Sequence, residues 1–181
     1  MFAYCGNNPV CRQDPTGCFF LPVAFDLLEE WVEGDGSDQN YIDKDEISRK
    51  LKNHRKTRDV VDEAIANYKA GVPKENWSHG TLYYGPSDDL DLWLAIRNCE
   101  YTIDITEEQR TIGFWLFETE QVRYIITVTV HDVYDFTEQP WDGVGNYLNN
   151  FAMLAHDYLG VGKDYHLYAT FTYTTSWENA G

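Results

Sequence analysis

One short run carries an unusual density of reactive side chains: His131-Asp132-Val133-Tyr134-Asp135-Phe136. Two carboxylates around a phenol, with an imidazole beside them, can bind a divalent cation or hold a general base next to a phosphate. The run follows Tyr124 to Val130, where Thr127 and Thr129 alternate with Ile126, Val128 and Val130. That spacing predicts a strand ending at the acidic residues. Alternation puts Asp132 and Tyr134 on one face and His131, Val133 and Asp135 on the other. A phosphate substrate would also need positive charge, and Arg97, Arg123, His79 and His131 are the candidates by composition. His166, set among aromatic residues, reads as a packed side chain.

A second, weaker candidate runs from Asp35 to Glu46. These twelve residues offer side-chain oxygens at Asp35, Ser37, Gln39 and Asp43 and an apolar residue, Ile42, in eighth place. The pattern is that of a calcium loop closed by Glu46, with Asn40 where glycine is usual. A polar loop leading into an acidic helix N-terminus explains the same letters.

The elements that must position these residues divide the chain in two. Phe25, Leu28 and Val32 give helical spacing over Val23 to Val32. A longer helical stretch from about Asp45 to Ala70 repeats apolar residues at three and four, with a break near Thr57. Gly71 to Asp91 reads as loop. Leu92 to Ile105, Thr111 to Thr119 and Val122 to Phe136 read as antiparallel strands joined by Glu107 to Arg110 and Glu118 to Gln121. An amphipathic helix over Val144 to Leu159 follows, and Tyr165 to Trp177 alternates as a last strand. The expectation is an α+β fold: helices over about 23–70, then an antiparallel meander or half-barrel over about 91–177, crossed by one late helix.

Charge narrows the partners. The 181 residues carry 30 acidic and 14 basic side chains, and half of the basic ones (Lys44, Arg49, Lys50, Lys52, Arg55, Lys56, Arg58) fall within fifteen positions. From Asp132 onward Lys163 is alone in carrying positive charge. Nucleic acid is not the favoured ligand of such a chain, because affinity for it comes from Lys and Arg that release condensed counterions. The basic stretch reads first as a solvated helix face. No run approaches the roughly 18 apolar residues of a membrane span. Cys5, Cys11 and Cys18 are spaced too widely for a usual structural zinc site, and with Cys99 they read as free thiols. The first twenty residues lack the basic start and apolar core of a secretion signal.

The N-terminus carries a resemblance. Tyr4, Asn7-Asn8-Pro9-Val10 and Asp14-Pro15-Thr16-Gly17 are turn chemistry, and in order and separation they resemble the motif that closes the Rhs/YD-repeat core. In that family the repeats encapsulate a variable C-terminal toxin, which is delivered to competing cells while an immunity protein protects the producer. Residues 1–17 would then be the end of the core and 18–181 the toxin domain, exported as part of a larger protein.

The later half carries a second one. The order strand, Asp132-x-Tyr134-Asp135-Phe136, loop, helix and final strand resembles the C-terminal half of the colicin M family, over roughly Asp91 to Tyr173. That resemblance implies divalent-cation-dependent cleavage of lipid II between undecaprenyl and pyrophosphate. Asp132, Tyr134 and Asp135 would be catalytic, with His131 beside them, Asp132 and Asp135 holding Mg²⁺ or Ca²⁺, and Arg97 and Arg123 facing substrate. Where the family places a basic pair after the motif, this chain has Trp141 and Asp142, so positive charge must come from elsewhere. The rival readings are a nuclease toxin using the basic helix and a non-enzymatic binding or membrane-perturbing module.

Overall fold

A computed structural model of the chain describes residues 22–43, 45–85, 87–96, 98–113, 118–134, 160 and 162–180. The described elements are α1 (Pro22–Glu33), β1 (Gln39–Ile42), α2 (Glu46–Asn53), α3 (Arg55–Lys69), a 3-10 turn (Lys74–Asn76), β2 (His79–Tyr83), α4 (Leu90–Ile96), β3 (Asn98–Ile112), β4 (Thr119–Tyr134), β5 (Tyr165–Thr174) and β6 (Glu178–Asn179). The fold is α+β, with helices preceding most of the strands. The expected helix over Val144 to Leu159 lies outside the described residues.

The strands form one six-stranded sheet in the order β1-β5-β4-β3-β2, with β6 also pairing β4. Side-chain pairs fix the registers. Arg123 meets Glu108 and Gln121 meets Arg110, so positions fall on β3 as they rise on β4. Thr129 meets Thr170, and Tyr124 meets Thr175, in the same antiparallel sense. The first strand lies in the segment expected as a loop, ahead of the expected antiparallel meander. Asp43, just after β1, bonds Thr172, while Gly36, just before it, lies against Lys163 and Asp164. Positions there rise together, so β1 runs parallel to β5 and the sheet is mixed.

By contacts the chain separates into two compact units. The first comprises the described residues within Met1–Asn40, Tyr83–Cys99 and His131–Tyr168. Its helix α1 buries Val23, Leu27 and Trp31, a stripe at four-residue spacing, whereas Phe25 and Val32 stay exposed. The apolar residues therefore offer two stripes, and the larger ring decides between them. Trp31 Nε1 donates to Asp164 Oδ1 at 3.1 Å, and the Trp31 carbonyl accepts from Lys163 N at 2.8 Å. Gly162, at φ +92°, lets the indole sit where a Cβ would come within 2.3 Å of it.

Helix α4 corrects the strand expected from Leu92. Asp89 Oδ1 accepts from the N–H groups of Asp91 and Leu92 at 3.0 and 3.1 Å, which starts a helix, and the buried Leu92, Ala95 and Ile96 follow helical spacing. Asp91 is buried, and its carboxylate accepts from Ala24 N at 2.8 Å and Val23 N at 3.3 Å. It caps α1 from a distance. Pro22 opens α1 and has no N–H, so Asp91 serves the first two donors that exist there.

The second unit comprises Tyr41–Leu82, Glu100–Val130 and Ala169–Gly181. Its helices break at His54 rather than near Thr57. That residue is extended, and its Nδ1 accepts from Lys56 N at 3.2 Å, capping α3. The 71–91 interval holds the 3-10 turn, β2 and the start of α4 instead of loop. Glu107 to Arg110, expected as a turn, lie inside β3, where the cross-strand pairs just described hold them. The even-numbered residues Val122 to Val130 of β4 and Ala169 and Phe171 of β5 fill the core, with Ile47, Leu51 and Val61 from α2 and α3. Tyr124 faces Thr175 and Val122 faces Glu178, so Ser176 and Trp177 oppose Arg123 alone. This bulge turns Trp177 onto the same face as Arg123, whose guanidinium lies 4.7 Å from the ring centroid, with Arg110 at 4.2 Å.

Candidate functional site

The end of β4 presents the reactive run as a strand through Tyr134. Alternation works as the sequence implies: Val130 and Tyr134 are buried on one face with Asp132 half-buried between them, and His131 and Val133 point to the other face. Tyr134 stacks on Tyr165 with ring centroids 5.4 Å apart, and Tyr165 donates its hydroxyl to the Leu27 carbonyl at 3.0 Å. Tyr134 is thereby fixed by packing. Asp132 Oδ1 accepts from the Val133 N–H at 2.9 Å. Burial, and then the charge of Asp132, push the thiol of buried Cys99 far up, so this cysteine stays a neutral thiol.

On the opposite face His131 meets His166. Their Nε2 and Nδ1 atoms are 3.0 Å apart and their rings nearly parallel, and His131 stacks on Tyr168 at 4.7 Å. His166 is exposed, not the packed side chain its aromatic neighbours suggested. The available signal was register: residues 166 and 168 alternate with the buried Tyr165, Leu167 and Ala169, so they had to face outward.

Asp135 and Arg97 lie outside the described residues. Arg123 does not converge on the acidic run. It sits nine positions before Asp132 on the other face of β4, about 30 Å of extended strand, and Glu108 holds its Nε at 2.6 Å. His79 is an exposed residue at the start of β2. Among the described residues no group of three or more His, Cys, Asp or Glu side chains is placed to hold a metal ion.

The Asp35–Glu46 segment takes a different form from a calcium loop. Residues 39–42 are strand, and the oxygens have other partners. Asp35 Oδ1 accepts from Ser37 N at 2.9 Å, Asp45 from Ile42 N at 2.8 Å, and Glu46 pairs with Arg49 at 3.9 Å. Asp43 accepts from Lys52 Nζ at 3.0 Å and from the Thr172 N–H and hydroxyl. Burial opposes ionisation of Asp43, but those bonds outweigh it and hold the carboxyl below its usual range. Asp43 is a strand tie.

The basic stretch is also largely engaged. Arg55 pairs with Asp59 at 3.9 Å, Arg58 donates to Asn53 at 3.2 Å, and Lys52 is held by Asp43. A pocket of about 330 Å³ beside it is lined by Lys52, Asn53, Arg58, Val61, Asp62 and Tyr173. Tyr173 donates to the Lys52 carbonyl at 2.6 Å, and burial pushes its phenol up to about 12. With Asp62 in the lining, the pocket is not a simple anion cradle. Compared with known protein families, curated proteins and solved structures, the chain matches none.

Proposed function

We propose that the chain is the C-terminal toxin region of an Rhs-type polymorphic toxin and that it cleaves lipid II between undecaprenyl and pyrophosphate. The observation that carries the reading is the placement of Asp132 and Tyr134 on one face at the end of β4, with Tyr134 held against Tyr165. Two neighbouring side chains of the resemblance motif are thus presented by a rigid element just before Asp135.

Asp132 acts as general base or cation ligand, Tyr134 positions substrate, and Asp135 completes the acidic site. A carboxylate oxygen is the hard donor that Mg²⁺ or Ca²⁺ prefers, so Asp132 suits such an ion chemically, and Asp135 is the further ligand on which the set depends. The cation, when bound, offsets the pyrophosphate charge. Arg123, tied to Glu108, has no part in this site. The upstream Rhs core would encapsulate the domain, export would carry it to a target cell, and a cognate immunity protein would block it.

Compartment tests the reading. Expressed in bacteria with an export signal, the chain lyses cells; without one it does not. Killing from the cytoplasm with degraded nucleic acid would instead indicate a nuclease. Killing that survives Asp132→Ala and Asp135→Ala together would indicate a non-enzymatic module.

A further inference from the structure

We propose that the outer edge of β3 beyond β2 is a self-association surface, on which two copies of this chain pair antiparallel about a two-fold axis at Gln109.

The edge follows from strand length and parity. β3 has 15 residues, whereas β2, its outer neighbour, has five. Ile103 N donates to the Ser78 carbonyl at 2.7 Å, so the main-chain groups of Ile103 point toward β2. Across the sheet, Tyr124 N meets the Thr175 hydroxyl, and the Tyr124 and Glu120 carbonyls accept from Thr175 and Ala180. Even residues of β4 therefore face β5 and β6, odd ones face β3, and even residues of β3 face back toward β4. Both sides of the sheet give the same result: Ile105, Glu107, Gln109 and Thr111 turn their N–H and C=O groups to the outer edge. Before Ser78 the chain is the 3-10 turn, and among the described residues no backbone group there bonds those four. An unpaired edge of this kind is a template for another strand.

Charge selects the occupant. In a continuous two-fold sheet, directly opposed residues share a face, so odd meets odd and even meets even. Centres at Glu107, Glu108 or Arg110 put like charges opposite each other, and a centre at Thr106 opposes Asp104 to Glu108. A centre at Thr111 overruns the strand, which ends at Ile112. Gln109 is the centre that fits. It opposes Glu108 to the second copy's Arg110, and reciprocally, and sets Thr106 over Ile112, a side chain 42% exposed in the single chain. Gln109 then meets Gln109 and Glu107 meets Thr111, each opposed pair exchanging two N–H···O bonds. Arg123 and Gln121 already hold Glu108 and Arg110 on that face, so neither side chain is ordered anew. The net charge of -16 opposes association from afar, but at physiological salt repulsion is screened beyond about 8 Å. An interface this short makes a weak, reversible dimer.

Sedimentation of the full chain over a concentration series, with amide hydrogen exchange, tests this. The expected result is a dimer that grows with concentration and slows exchange at Glu107, Gln109 and Thr111. Gln109→Lys and Gln109→Glu each place like charges on the axis and weaken association at least tenfold, and the two variants mixed in equal amounts restore it. Thr111→Lys, which faces Glu107, strengthens the reversible dimer, a gain that loss of folding does not produce. A mass that stays that of one chain up to about 1 mM, an association that both Gln109 variants leave unchanged, or a mixture no better than either variant alone overturns the proposal. None of these outcomes bears on lipid II cleavage, which does not use this edge.

Discussion

Removing the Asp91 carboxylate is expected to destabilise the protein by about 2–4 kcal/mol. Asp91 is 2% exposed, and its Oδ1 accepts from Ala24 N at 2.8 Å while Oδ2 accepts from Val23 N at 3.3 Å. A hydrogen bond to a charged acceptor contributes roughly 1.5–3 kcal/mol net. The longer bond adds little, since it lies beyond the usual range. A negative charge at a helix N-terminus adds roughly 0.3–2 kcal/mol. With alanine, the α1 donors lose their acceptor where water has poor access. At roughly 2–4 °C per kcal/mol for a chain of this size, Tm falls by about 4–16 °C. Asp91→Asn keeps one acceptor oxygen and should lose about half as much. Urea unfolding followed by circular dichroism reads both variants, with an unchanged m-value as the sign that only stability moved. An alanine variant within about 0.5 kcal/mol of the parent would show that α1 does not depend on this cap.

Three further expectations follow from particular contacts. Ser48 is fully buried in α2, and its hydroxyl has no hydrogen-bond partner among the described residues, so Ser48→Ala should stabilise by about 0.5–1.5 kcal/mol in the same denaturation assay; a loss above about 1 kcal/mol would mean the hydroxyl is satisfied. Gly162→Ala places a Cβ within 2.3 Å of the Trp31 ring at φ +92°, which should cost about 3 kcal/mol or more. Adding Trp31→Leu should give a double variant less destabilised than the two single losses predict. Tyr173 has its phenol pushed up to about 12 by burial, against about 10 in the unfolded chain. Its contribution to stability is full below pH 10 and is lost as pH rises towards 12, because the unfolded chain ionises first. Tyr173→Phe should therefore flatten the fall of stability over that window, and an identical pH profile would contradict the assignment.

The fold class was legible because alternation and helical spacing are strong over Tyr165 to Thr174, Tyr124 to Val130 and Ile47 to Tyr68. What sequence spacing could not show was the choice between competing local patterns. Leu92, Ala95 and Ile96 sit in a segment rich in apolar and aromatic residues that also suits a strand, and the Asp89 side chain tips it to helix. Glu107 to Arg110 look like a turn until Arg123 and Gln121 are placed opposite them. Phe25 and Val32 look like the buried stripe of α1 until Trp31 meets Gly162 and Asp164. Each decision depends on a residue distant in the chain. The same holds for function: the shared face of Asp132 and Tyr134 could be read from parity alone, whereas the pairing of His131 with His166 required the register between β4 and β5.

The account turns on whether the acidic run at the end of β4 performs phosphate chemistry, and one assay addresses that directly. Purified chain is incubated with lipid II and Mg²⁺ or Ca²⁺, and the products are separated and weighed by mass spectrometry. The account predicts a released undecaprenyl product and a soluble pyrophosphorylated disaccharide-peptide, formed only with the cation and lost in Asp132→Ala while the variant keeps the parent's circular dichroism spectrum. Intact lipid II after incubation with the wild-type chain, or equal turnover by Asp132→Ala, would contradict it.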